Sequence, residues 1–304
     1  AYVEHARLEK DDAAVVVIEA GGATHLPCAA LAAIFLGPGT TVTHAAIKAM
    51  TEAGCSVLWV GEGMTRVYAQ GMGETRSSRR FLSQVECWAA PPRRAAVVLR
   101  MYEHRFGDRL PPGVSMAQVR GREGGRVRAA YQRLAAEHGV TWSGRSYARG
   151  NWGGADAINQ ALSGAASCLY GVCHAAIVSA GYSTALGFLH TGKLLSFVYD
   201  VADLYRIEVV VPVAFEVARQ YAGASDLRGM ARDVRIACRE AFRKERLLDL
   251  VVSDVDGLFA LDDDALAAAA GLVDGLVQEP SGLWDPASSG GAVPGGVNHG
   301  GDDL

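Results

Sequence analysis

The sequence predicts an α+β chain of two domains: a small β-sandwich carrying one helix, followed by an all-α domain. Three observations predict it. Short β-branched runs crowd the first 70 or so residues, a polar, Gly-containing, basic segment follows at 71–80 (GMGETRSSRR), and beyond it apolar positions recur at helical spacing. At 304 residues, half of them hydrophobic, the chain is long enough to bury a sizeable core.

The elements follow in order. Residues 14–19 (AVVVIE) and 55–60 (CSVLWV) are rich in β-branched side chains and predict strands. Residues 32–36 form another short apolar strand, closed by the turn signal Gly37-Pro38-Gly39. Thr43 is placed to cap the helix HAAIKAMTEAG, and Gly54 to end it. Residues 65–70 (TRVYAQ) alternate and predict a half-exposed strand. After the hinge at 71–80, helices are predicted over 77–90, 92–106, 115–138, 155–180, 196–210, 212–221, 230–246 and 247–258. The helix at 155–180 is studded with Ala, Gly and Ser, which let neighbours approach closely, so it is expected at the centre. The boundaries expected are 1–70 for the β-rich domain, 81–280 for the helical one, and a disordered Gly/Pro/Ser/Asp tail at 281–304.

A formal net charge of −4 hides a strong asymmetry. Residues 61–150 hold 16 arginines, no lysine and seven acidic residues, a net of +9. From Arg246 to the end, one arginine faces 11 acidic residues, a net of −10. The middle therefore suits a phosphate-binding surface and the end does not. A GC-rich genome accounts equally well for 25 arginines against four lysines, but not for their clustering.

The six cysteines (Cys28, Cys55, Cys87, Cys168, Cys173, Cys238) form no CxxC pair and sit mostly in apolar runs. They read as buried free thiols of a reducing compartment. No signal peptide or stretch of membrane-spanning length is read from the sequence, so the expected location is the cytoplasm.

The segment GFLHTGKLLSFVYDVAD, residues 187–203, sets His190, Lys193, Asp200 and Asp203 in otherwise apolar sequence. Asp200 and Asp203 share a helical face with side chains that favour burial. Burying carboxylates unpaired is costly, so a divalent cation is the simplest partner. His nitrogen with carboxylate oxygens suits Mn²⁺ better than Mg²⁺. Glu123 falls one turn before Val127 on the stripe that continues through Tyr131 and Leu134, so its carboxylate points inward; the competing reading is a Glu answering a helix N-terminus. Arg122, Arg126 and Arg133 form a neighbouring basic stripe.

Gly187 to Lys193 matches the start of a P-loop, but Leu194 stands where a metal-holding hydroxyl belongs and no convincing strand precedes it. Lys193 is better read as a cation beside a phosphate. Between Trp142 and Trp152, Tyr147 and Trp152 interleave with Arg145 and Arg149, which suits stacking on unpaired bases or, equally, a loop pinned to the core. Arg232, Arg235 and Arg239 make one basic helical face, either merely solvated or an extension of a DNA track.

The runs GPGTTVTHAAI, VLWVGEGMTRVYAQG, REGGRVRAAY, INQALSGAASCLYGV and GFLHTGKLLSFVYDVADL resemble the CRISPR adaptation integrase, CRISPR-associated protein one, in its type I-E subtype. The resemblance reaches to about Arg246. It implies a β-rich N-terminal domain, an α-helical catalytic domain, a homodimer, and a bridging partner, CRISPR-associated protein two. It implies a Mg²⁺ or Mn²⁺ site of Glu123, His190 and Asp203, with Asp200 a further acidic residue nearby and Lys193 in the catalytic group. It associates Arg66, Tyr170, Lys193 and Tyr199 with DNA or the active centre. The implied activity is metal-dependent endonuclease and integrase chemistry in antiviral defence: short foreign-derived DNA with 3′-OH ends is joined into repeat DNA by transesterification. Two other classes stay open, a non-catalytic DNA-binding scaffold whose carboxylates only pair with arginines, and a nucleotide hydrolase using residues 187–193.

Overall fold

The computed structural model describes residues 1–12, 14–64, 66–71, 77–144, 156–224 and 227–276. Among the described residues eight strands come first: β1 (Tyr2–Val3), β2 (Arg7–Asp11), β3 (Ala14–Glu19), β4 (Gly22–Pro27), β5 (Ala33–Leu36), β6 (Thr41–Val42), β7 (Ser56–Val60) and β8 (Val67–Gly71). They form two four-stranded sheets, ordered β4-β3-β2-β6 and β1-β5-β7-β8. Leu8, Val15 and Val17 of one sheet and Ile34, Leu36 and Val57 of the other share one apolar cluster with Ala46 and Met50 of α1 (His44–Glu52). Thr43 caps α1 as expected, its hydroxyl accepting from the Ala46 N–H at 3.3 Å.

Strand β5 is buried on both faces. Its other side, Ala33 and Phe35, packs with Leu58 and Val60 against Ala175 and Val178 of the helical part. That is why it reads as a continuous apolar run rather than an alternation. Strands β1, β2, β4 and β6 are absent from the sequence reading, and the two longer ones show why. In β2 (RLEKD) only Leu8 is buried, and β4 is an almost wholly exposed edge, so neither carries a hydrophobic signal.

The chain is helical from Arg79 onward: α2 (Arg79–Ala89), α3 (Pro91–Phe106), α4 (Met116–His138), α5 (Ala157–Ala180), α6 (Ser196–Ala202), α7 (Val211–Gln220), α8 (Met230–Lys244), α9 (Leu247–Phe259) and α10 (Asp263–Ala268). Helix α5 is the central one, touching α6, α7, α8 and α9 as well as β7. It corrects the reading that no stretch is of membrane-spanning length. It is long and apolar enough, but 72% of its most apolar window is buried inside the protein. All six cysteines are buried and free.

Two helical expectations change. The single helix at 196–210 is interrupted after Ala202 by a turn and resumes as a π-type turn over Arg206–Val210 before α7. Helix α10 and the 3₁₀ turn Ala270–Gly275 extend the fold beyond the last predicted helix and close on α3. Residues 72–76 of the hinge, Tyr147, Trp152 and the tail 281–304 lie outside the described residues.

Candidate active site

The loop between α5 and α6 carries His190, and its backbone is tied down from three directions. Gln84 of α2 donates to the carbonyls of Ser183 (3.0 Å) and Leu186 (3.2 Å) and accepts from the Ser183 N–H (2.8 Å). The Trp88 indole donates to the Gly187 carbonyl at 3.1 Å, and the buried Arg94 to that of Phe188 at 3.1 Å. Gly187 is required for contact reasons: a Cβ there would lie 2.1 Å from the His190 carbonyl and 2.7 Å from Ser196 Cβ. Gly187→Ala is therefore expected to displace the loop and cost ~3 kcal/mol. A thermal melt checks this, and an unchanged midpoint would contradict the packing. The loop follows α5 rather than a strand, so the P-loop reading finds no structural support.

Asp200 holds the far side of this loop. It is fully buried, and its carboxylate accepts from the backbone N–H groups of Phe188 (2.5 Å), Leu189 (3.1 Å) and His190 (2.8 Å) and from His190 Nδ1 (2.6 Å). Four donors saturate it. In this arrangement Asp200 serves the loop backbone and the imidazole, and the other ring nitrogen, Nε2, is turned toward Asp203. That Nε2 lies 4.0 Å from Asp203 Oδ2.

Glu123 sits two turns into α4, which starts at a Ser115–Gln118 capping box. This rules out the helix-N-terminus reading. Val127, Tyr131 and Leu134 are buried as the stripe requires. Around Glu123, a Cβ at Gly121 or Gly125 would meet open space, so this stretch of α4 presents an uncluttered surface.

Three arginines surround Glu123 and Asp203, and Arg105 alone of the three reaches both. Arg126 binds Glu123 with two nitrogens, at 2.9 and 3.1 Å. Arg206 donates to Asp203 at 3.2 Å and reaches the Tyr170 hydroxyl at 3.4 Å. Arg105 of α3 faces both carboxylates, with Nη1 3.8 Å from Glu123 and Nη2 3.4 Å from Asp203. Tyr199 packs edge-on against both Tyr170 (5.0 Å) and His190 (5.8 Å), closing the wall. Burial works to raise the Asp203 carboxyl, but the charges of Arg105, Arg206 and His190 outweigh it and hold it below the usual carboxylate range. Burial likewise works against a charged His190, yet its hydrogen bond to Asp200 and the two nearby carboxylates raise it above the ordinary histidine value.

One imidazole nitrogen and two carboxylates suit a divalent ion, and the Asp200–His190 bond is the outer-shell contact such ligands use. As the side chains stand, no three His, Cys, Asp or Glu among the described residues are close enough to share an ion. The expected trio is therefore brought together in part: His190 and Asp203 are neighbours, and Glu123 stands across the Arg105 guanidinium. Neither Arg105 nor Arg206 stands out in the sequence; Arg105 meets Glu123 and Asp203 only through the packing of α3.

The other expected contacts are dispersed. Lys193 is exposed at the end of the loop. Arg122 pairs with Asp108 at 2.8 Å and covers the Phe106 ring, and Arg133 pairs with Glu137, so the α4 basic stripe is largely neutralised. Trp142 packs on Tyr131 and Phe215 as a core residue. Arg66 and Arg235 line one open cavity of about 460 Å³ with Tyr68, although Arg235 also pairs with Glu62 at 2.9 Å. Arg239 is exposed on α8.

A family model described as CRISPR associated protein Cas1 matches residues 104–237, a span that contains Arg105, Glu123, His190 and Asp203. Over 99% of its length the chain is 50% identical to a CRISPR-associated endonuclease Cas1 of Thermus thermophilus, covering 90% of that protein. It is 44% identical to the CRISPR-associated endonuclease Cas1 of Escherichia coli over 85% of its length and 84% of the relative's. A solved TtCas1–DNA complex superposes with a TM-score of 0.78 at 51% identity, over 85% of this chain and 95% of that one.

Proposed function

This chain belongs to the Cas1 family of CRISPR-associated endonucleases, and on that premise we propose that Glu123, His190 and Asp203 form the centre with which it inserts short DNA into a CRISPR repeat array. The observation that carries the site is His190 Nε2 facing Asp203 at 4.0 Å while Asp200 holds the other ring nitrogen.

The three residues would hold a divalent cation, Mn²⁺ in preference to Mg²⁺ because one donor is an imidazole nitrogen. When bound, the ion supplies Lewis-acid stabilisation to a reacting phosphate. Asp200 keeps the imidazole in one orientation and spares it a search among rotamers. Lys193 stands exposed three residues from His190, placed to neutralise phosphate oxygens. The 3′-hydroxyl of incoming DNA attacks phosphorus in a repeat strand; one P–O bond forms, one breaks, and the proton passes to the departing 3′-oxygen. With water as nucleophile the same site is an endonuclease. Double-stranded DNA is the substrate. Arg66, Arg235 and Arg239 contribute backbone contacts, and Tyr170 and Tyr199 line the approach. A homodimer working with a second CRISPR-associated protein, Cas2, completes the reading.

A second reading draws on the arginine pairing of both carboxylates: a scaffold that binds DNA without chemistry. One assay separates the two. Joining of a short duplex to a repeat-bearing plasmid is expected with Mn²⁺ and is expected to vanish with EDTA. DNA binding that survives EDTA and falls steeply with salt, with no joining under any metal, favours the scaffold.

A further inference from the structure

Among the described residues Arg105 is the one arginine that touches both candidate ligands, and its setting is unusual for a charged side chain. The side chain is only 2% exposed. Its Nε has no hydrogen-bond partner among the described residues, and its guanidinium lies over the Tyr102 ring at 5.2 Å. Its contacts to the carboxylates, 3.8 and 3.4 Å, are loose beside the 2.9 and 3.1 Å pairing of Arg126 with Glu123. A buried cation held this way is kept by charge rather than by a full set of hydrogen bonds. Arg126 and Arg206 each neutralise one carboxylate from the rim, whereas Arg105 occupies the space between the two.

We propose that Arg105 is the resident counter-cation of this centre and competes with the divalent ion for Glu123 and Asp203. This rests on the reading of those residues as ligands. The guanidinium satisfies two inward carboxylates that would otherwise repel each other, and an entering ion must displace it or share its place. Like charges a few ångström apart in a partly buried site repel strongly enough to weaken ion binding about tenfold or more.

The test measures Mn²⁺ affinity of the full chain, free of DNA, by electron paramagnetic resonance titration and by the Mn²⁺-induced rise in melting temperature. Arg105→Gln is expected to bind Mn²⁺ about tenfold tighter than the parent and to show the larger Mn²⁺-dependent stabilisation. Arg105→Lys keeps the charge and is expected to stay near the parent affinity, so it tests the idea even if the glutamine variant does not fold. Wild-type affinity in Arg105→Gln, or tighter binding in Arg105→Lys, overturns the proposal. Glu123→Gln and Asp203→Asn separate the two readings. If both weaken Mn²⁺ binding while Arg105→Gln does not tighten it, only the competition fails. If the parent shows no saturable Mn²⁺ binding, the ligand reading fails and the competition falls with it.

Discussion

Asp203→Asn is expected to lower strand joining by at least ~10³-fold while the protein stays folded and still binds DNA. The side chain is the hub of the centre: it faces His190 Nε2, Arg105 and Arg206. Asparagine keeps the shape and one accepting oxygen, so neither arginine is left without a neighbour. What it removes is the negative charge that attracts a divalent ion and answers Arg105. The loss should therefore appear in chemistry rather than in folding. Joining rates, a melting curve and a binding isotherm on the same preparation check this. Normal joining by the variant would refute the assignment of Asp203.

Asp200→Ala is expected to fail differently, by destabilising the protein. Its carboxylate is fully buried and serves three backbone N–H groups and the His190 ring. Each donor left unsatisfied costs ~1–3 kcal/mol, and all four lose their acceptor together. A loss of ~4 kcal/mol or more is expected, which lowers the melting temperature by ~10 °C in a domain of this size. Joining should fall as well, because the imidazole loses its anchor. A variant that melts like the parent yet has lost joining would show that Asp200 acts on the chemistry directly. The two substitutions, three residues apart on one helical segment, thus separate a group that supports the site from one that faces the reaction.

Much of the fold was legible because it is local. The cap at Thr43 is determined by neighbours within a turn. The helical period survives in α2 to α9 because each buries a face against the same core. Strands β1, β2, β4 and β6, each with at most one buried residue and no marked apolar alternation, stayed hidden because pairing holds them in place, and backbone hydrogen bonding leaves no mark on side-chain chemistry. The break after Ala202 was equally silent. Residues 196–210 are apolar at helical spacing throughout, and the interruption follows from packing that turns Asp203 toward Arg105 and Arg206.

By itself the sequence grouped His190, Asp200 and Asp203 as one cluster, since all three lie within 14 residues of otherwise apolar chain. It also placed Glu123 on the apolar stripe of its helix, and the start of α4 at Ser115 then removed the competing helix-N-terminus reading. Only the tertiary structure decided that α3 delivers Arg105 between that glutamate and Asp203, and that Asp200 spends all its hydrogen-bonding capacity on the loop. The reason is physical: periodicity reports which side a residue faces, whereas the partner it meets there is set by the packing of helices far apart in the chain.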